Sequence, residues 1–126
     1  MNRNEVYSYL REKILAEFPN AYVTGKYEPK PSAFPACYIH EIDRIRPLQN
    51  IQLDYSDVQW ESVIEIQIVS AKTSTPVSQA YAVMDVARQS FNDLYYREFS
   101  ETNIDGGDRF TLIGRFRRTI GGGDVV

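Results

Sequence analysis

Residues 60–70 read Trp60-Glu-Ser-Val-Ile-Glu-Ile-Gln-Ile-Val-Ser70, and a helical stretch opens shortly after them at Thr75-Pro76. In the first stretch Trp60, Ile64, Ile66 and Ile68 share one side of an extended backbone, while Glu61, Val63, Glu65 and Gln67 share the other. A period of two marks a strand buried on one face. In the second stretch Val77, Ala80, Tyr81, Met84, Ala87, Phe91 and Leu94 recur at helical spacing, and Asp85, Arg88, Gln89, Asn92 and Asp93 face away from them. Thr75 as N-cap with Pro76 as first helical residue predicts a helix running to about Tyr96. A strand followed by such a helix sets the architecture, a sheet with helices laid on its apolar side.

Upstream, Val6, Leu10 and Ile14 recur every four residues and predict a helix from about Asn4 to Phe18, ended by Pro19-Asn20. Ala21 to Tyr27 reads as a short strand or edge segment. Pro29, Pro31 and Pro35 keep Lys26 to Pro35 out of a sheet interior. Ala36 to Ile45 predicts a strand whose alternation is imperfect, so its buried face stays open. Arg46 to Gln59 predicts a long loop, with Leu48 and then Ile51, Leu53 and Tyr55 in alternation with polar positions. Loops of this length are usually functional or disordered. This one reads either as a mobile hairpin loop or as a segment that orders as a strand against a partner.

Downstream, Phe99 to Ile104 predicts a short strand, Asp105 to Asp108 a turn, and Arg109 to Ile120 a final strand. Phe110, Leu112, Phe116 and Ile120 share one face of that strand. Arg109, Thr111, Arg115, Arg117 and Thr119 share the other. The order α-β-β-β-α-β-β predicts a single α+β domain over 1–120 with a mainly antiparallel sheet, two helices on one face and a polar opposite face. Residues 121–126 read as a frayed tail.

The composition fits one domain with a real core, since 126 residues are 43% hydrophobic and 25% charged. Fourteen basic against 17 acidic side chains argue against a nucleic-acid coat protein, which needs a cationic surplus. One Cys forms no internal disulfide, which makes a cytoplasmic folding site the default. Nothing at the N-terminus reads as a signal peptide, and no apolar run is long enough for a membrane span.

The residues offer little for catalysis. His40 is the only histidine, and its odd offset from Cys37 sends the two side chains to opposite faces of a strand, so they form no dyad. Cys37 then reads as core and His40 as a sheet-surface or interface residue. One Cys and one His supply no zinc ligand set. A magnesium nuclease would pair Asp54 or Asp57 with Glu65-Ile66-Gln67, but the lysine of the usual Glu-x-Lys is missing. The glycines 121–123 precede no helix, so they cradle no phosphate. No cofactor is implied. The remaining signal is the basic group Arg115, Arg117 and Arg118. It reads either as internal cross-strand pairing with Glu61, Glu65, Glu41 or Asp43, or as an inter-subunit patch.

Several segments resemble the tail terminator proteins of tailed bacteriophages. They are Ala33-Phe-Pro-Ala-Cys-Tyr-Ile-His-Glu-Ile42, the loop after it, the 61–70 strand, the Ala80 to Tyr96 helix and Arg109-Phe-Thr-Leu-Ile-Gly-Arg-Phe-Arg-Arg-Thr119. Such proteins place Phe-Pro before a strand, follow a strand with a long amphipathic helix, and finish on an arginine-bearing strand. The helix here ends in Tyr95-Tyr96-Arg97, without the Gly-aromatic turn expected of the family. The resemblance covers about 33–119 and concerns order and pattern. It implies a ring, typically a hexamer, that caps the tail tube, stops its polymerisation and meets the head–neck connector. It also implies a place at the tail–neck junction of the virion and assembly in the bacterial host cytoplasm. Membranes and direct sequence-specific nucleic-acid binding are no part of it. The interface residues expected on this basis are Arg115, Arg117, Arg118, Glu65 and Gln67, with Leu48, Ile51, Leu53 and Tyr55 of the loop. The rivals are a neck or head–tail joining protein, a cytoplasmic ligand-binding or regulatory domain, and the nuclease.

Overall fold

In the computed structural model, which describes residues 3–27, 29, 31–45, 60–71 and 76–120, two helices lie against one face of a five-stranded sheet. The elements are α1 (Arg3–Glu17), β1 (Tyr22–Thr24), β2 (Ala36–Ile45), β3 (Trp60–Ala71), α2 (Pro76–Asp93), β4 (Arg97–Gly106) and β5 (Arg109–Ile120). This is the α+β class and the element order that the sequence predicts. The expected loop residues Leu48, Ile51, Leu53 and Tyr55, the N-cap Thr75 and the tail 121–126 lie outside the described residues.

The strands run in the order β1-β2-β3-β5-β4. Only the β1–β2 pair is parallel; β2–β3, β3–β5 and β4–β5 are antiparallel. β3, α2 and β4 therefore form a crossover between strands that run the same way, and β5 fills the gap between them. The imperfect alternation of β2 has a physical source. Its register against β3 slips between Glu41 and Asp43, where Ile42 is the extra residue of a bulge. Ahead of the bulge the alternation is regular, so Cys37, Ile39 and Glu41 share a side and His40 takes the other with Ala36 and Tyr38.

The core lies between the helices and the sheet. Val6, Leu10 and Ile14 of α1 meet Ala80, Val83, Met84, Ala87, Phe91 and Leu94 of α2 over Cys37, Ile39, Ile64, Ile66, Ile68, Leu112 and Phe116. Burial of each large side chain contributes about 1.5–3 kcal/mol. The apolar stripe of α2 is rotated from the expected one. Val77 and Tyr81 are 46% and 37% exposed, whereas Val83, left out of the expected stripe, is buried. The line of contact runs through 80, 83, 84, 87, 91 and 94, which leaves Val77 in the first turn uncovered. At Gly114 the helix comes close: a Cβ there would stand 2.9 Å from Met84 Cε.

The helix-free face is less polar than expected. Ala36, Tyr38 and Val69 form a second buried cluster with Tyr22 and Phe34. Covering comes from the proline-bearing segment between β1 and β2. Tyr27 packs on Tyr38 with ring centroids 5.1 Å apart, and Arg109 donates a 2.8 Å hydrogen bond to the Pro29 carbonyl. The segment whose prolines bar it from a sheet interior thus supplies Tyr27 and Phe34 to this face, and the Pro35 carbonyl accepts a 2.9 Å hydrogen bond from Tyr22 N–H where β1 begins.

Candidate functional site

Beyond that cover, the same face carries a charged cluster. Glu65 pairs with Arg115 directly across β3 and β5, and with His40 across β2 and β3. Arg115 Nε donates to Glu65 Oε2 at 2.9 Å, and Gln67 Nε2 donates to Oε1 at 3.1 Å. His40 Nε2 lies 3.8 Å from Oε1. Glu65 is only 7% exposed. Burial pushes its carboxyl upward, but the hydrogen bonds from Gln67 and Arg115, with the charges of Arg115 and His40, outweigh that and hold it below the usual carboxylate range. A buried carboxylate satisfied at both oxygens is a structural tie between three strands, and truncating a partner leaves charge without compensation.

Farther along the strands, Arg117 Nη1 stands 3.9 Å from Glu61 Oε1, and its guanidinium lies 5.2 Å over the Phe99 ring. Of the four acids expected as possible partners across the sheet, Glu65 meets Arg115 and Glu61 meets Arg117, the second at the outer limit of contact. Glu41 is not part of this cluster: on the helix side it accepts a 2.8 Å hydrogen bond from Ser62 Oγ, which in turn accepts one from the Tyr96 hydroxyl at 2.9 Å. The side chain of Asp43 is not among those described.

Arg118 leaves its two neighbours, because successive residues of β5 alternate faces. Its guanidinium lies 5.6 Å over the ring of Tyr95, just past the end of α2. Tyr95 has φ of +65° and is 78% exposed. The helix end explains the angle. Tyr96 N–H donates to the Phe91 carbonyl at 2.9 Å and Tyr95 N–H to the Asn92 carbonyl at 3.0 Å, the paired bonds of a Schellman motif. That motif demands a left-handed residue where Tyr95 stands, a place usually held by glycine. Phe91 and Tyr96 supply its apolar contact, ring edge to ring face at 5.6 Å.

Glu61, Tyr95, Arg97, Arg117, Arg118 and Thr119 line an open cavity of about 390 Å³ at this end of the sheet. Arg97, Tyr95 and Phe99 were missed in the sequence, where the only signal was a helix end without its glycine. A second cavity of about 500 Å³ lies by the start of α1, against Ile39, Glu41 and Ile64. Cys37 is buried in the core with its thiol pushed up to about 12 by loss of solvent, and it stands on the opposite sheet face from His40. Asp54 and Asp57 lie outside the described residues.

Fold and surface together define a small α+β protein whose helix-free sheet face carries paired charges, with arginines and exposed aromatics at one end. No protein-family model and no curated protein sequence matches the chain.

Proposed function

We propose that the protein is a structural component of a tailed-phage virion, a ring-forming tail terminator that caps the tail tube, ends its polymerisation and meets the neck. The observation that carries this reading is the final strand. β5 sets Arg115 and Arg117 on the face away from the helices, with Arg117 exposed beside Phe99. Arginine beside an exposed aromatic ring is the composition from which protein interfaces draw their energy. The order of elements and the arginine-bearing last strand agree with the resemblance, and work of this kind needs only differential binding to a finished tube end.

Deleting the gene in the phage that encodes it tests the reading. Tail tubes of uncontrolled length and heads without tails are expected by electron microscopy, with rescue from a plasmid copy. Normal virions without the protein would sink the proposal. Uniform tails that fail only to join heads would move the protein to the neck.

A further inference from the structure

The β4–β5 hairpin has opposite charge at its two ends. At one end stand Arg97, Arg117 and Arg118 around the cavity, with Glu61 as the single acid lining it. At the other end, roughly 30 Å away along nine residues of strand, the turn carries Asp105 and Asp108, both exposed. Gly107, with φ of +61°, occupies the first central position of this two-residue turn, which suits a type II′ hairpin. Arg109 beside it is turned back to the Pro29 carbonyl and the Phe34 ring.

Two features are not required by the fold of the described residues. Tyr95 holds a left-handed backbone that glycine adopts without strain, yet its ring is 78% exposed, with the Arg118 guanidinium 5.6 Å over it. Gly106 has neither a positive φ nor any described atom within 4 Å of where a Cβ would stand, so neither conformation nor crowding requires glycine there. Strain retained at an exposed aromatic, and a bare backbone at a hairpin tip, both fit close approach by another molecule.

We propose that the cavity lined by Tyr95, Arg97, Arg117 and Arg118 receives the Gly106-Gly107-Asp108 turn of a second copy of this chain. The small residues at the tip let its backbone enter, and the guanidinium groups offer forked donors to the Asp108 carboxylate. The Tyr95 ring then covers the contact and excludes water from it. Because donor and acceptor patches are different surfaces at opposite ends of one hairpin, the contact is heterologous and propagates head to tail. It rests on the ring-forming reading above and names the contact that closes the ring.

Charge exchange tests it. One variant carries Arg117→Glu with Arg118→Glu, and the other Asp105→Lys with Asp108→Lys. Each is checked for folding by circular dichroism and sized by light scattering across concentration at low salt. Wild type is expected to assemble. Each variant alone should dissociate toward the 14.5 kDa protomer, self-association being weakened by about tenfold or more, and an equal mixture of the two should reassemble. Should the arginine variant misfold, Tyr95→Gly takes its place, with weaker assembly and an unchanged or higher melting temperature expected. A wild type that stays monomeric, variants that assemble like wild type, or folded variants that fail to reassemble on mixing would overturn the contact. Assembly through these residues in a protein absent from tail ends sinks the tail-terminator reading alone. Tail-end rings that survive both charge reversals sink the contact alone.

Discussion

Glu65 has the strongest reason to be where it is, since its two oxygens, themselves largely covered, are answered from Gln67 and from a half-exposed Arg115. Replacing it by Gln keeps the size and removes the charge. A cost of about 1–3 kcal/mol at neutral pH is expected, in the range of hydrogen bonds to charged groups. The pH dependence has a definite sign. The folded carboxyl lies below its ordinary value of 4.5, so the pair's contribution is complete above that value and fades as pH falls through the lower, folded one. Urea melts of wild type and Glu65→Gln should therefore converge in acid. A gap that widens in acid contradicts the assignment. Tyr95 makes the opposite prediction: glycine at its left-handed position should stabilise the fold by about 0.5–1 kcal/mol, read as a higher urea midpoint with unchanged slope.

Among the elements, α2 holds the two layers together through Phe91, which stacks on Phe116 at 4.0 Å between ring centroids and meets Tyr96 edge-on. Phe91→Ala should cost about 3–5 kcal/mol in chemical denaturation, because the site is enclosed on all sides and has little room to collapse. Arg88 ties the same helix to β4. Its Nε donates to Glu98 at 3.3 Å, and a second nitrogen lies 3.6 Å from Glu101. The element types were legible in the sequence because periods of two and 3.6 survive translation into strand and helix. The rotation of the α2 stripe was not, since Val77 and Val83 look alike in sequence and only the path of β5 decides which is covered. The buried face of β2 was hidden because both sides of its first half are covered, Cys37 and Ile39 by the helices and Ala36 and Tyr38 by the segment carrying Tyr27, which read only as a break. Of the candidate site, strand alternation put Arg115 and Arg117 on one face and Glu61 and Glu65 among the acids they could meet there, without fixing which met which. The cavity did not follow from it, because Tyr95, Arg97 and Arg118 belong to different elements and meet only when β5 slots between β3 and β4.

At the scale of the whole molecule, the hairpin with unlike ends sets a rule about number. A head-to-tail contact closes a ring when the rotation between neighbours divides a full turn, and otherwise winds into an open filament. The charge-exchanged pair adds a parity condition. The arginine-reversed protein offers an acidic cavity and an acidic turn; the turn-reversed protein offers a basic cavity and a basic turn. Like therefore repels like, and every favourable contact joins one kind to the other. Strict alternation closes without a mismatch only in rings of even number. If the native ring is the hexamer that the resemblance implies, the mixture should give an assembly of wild-type mass with three copies of each variant, resolved by native mass spectrometry after a mass tag on one of them. A ring of odd number would instead yield open chains or a changed size, with wild type still closed. Raising the salt should weaken wild-type and mixed assemblies together, since both rest on the same number of opposed charges.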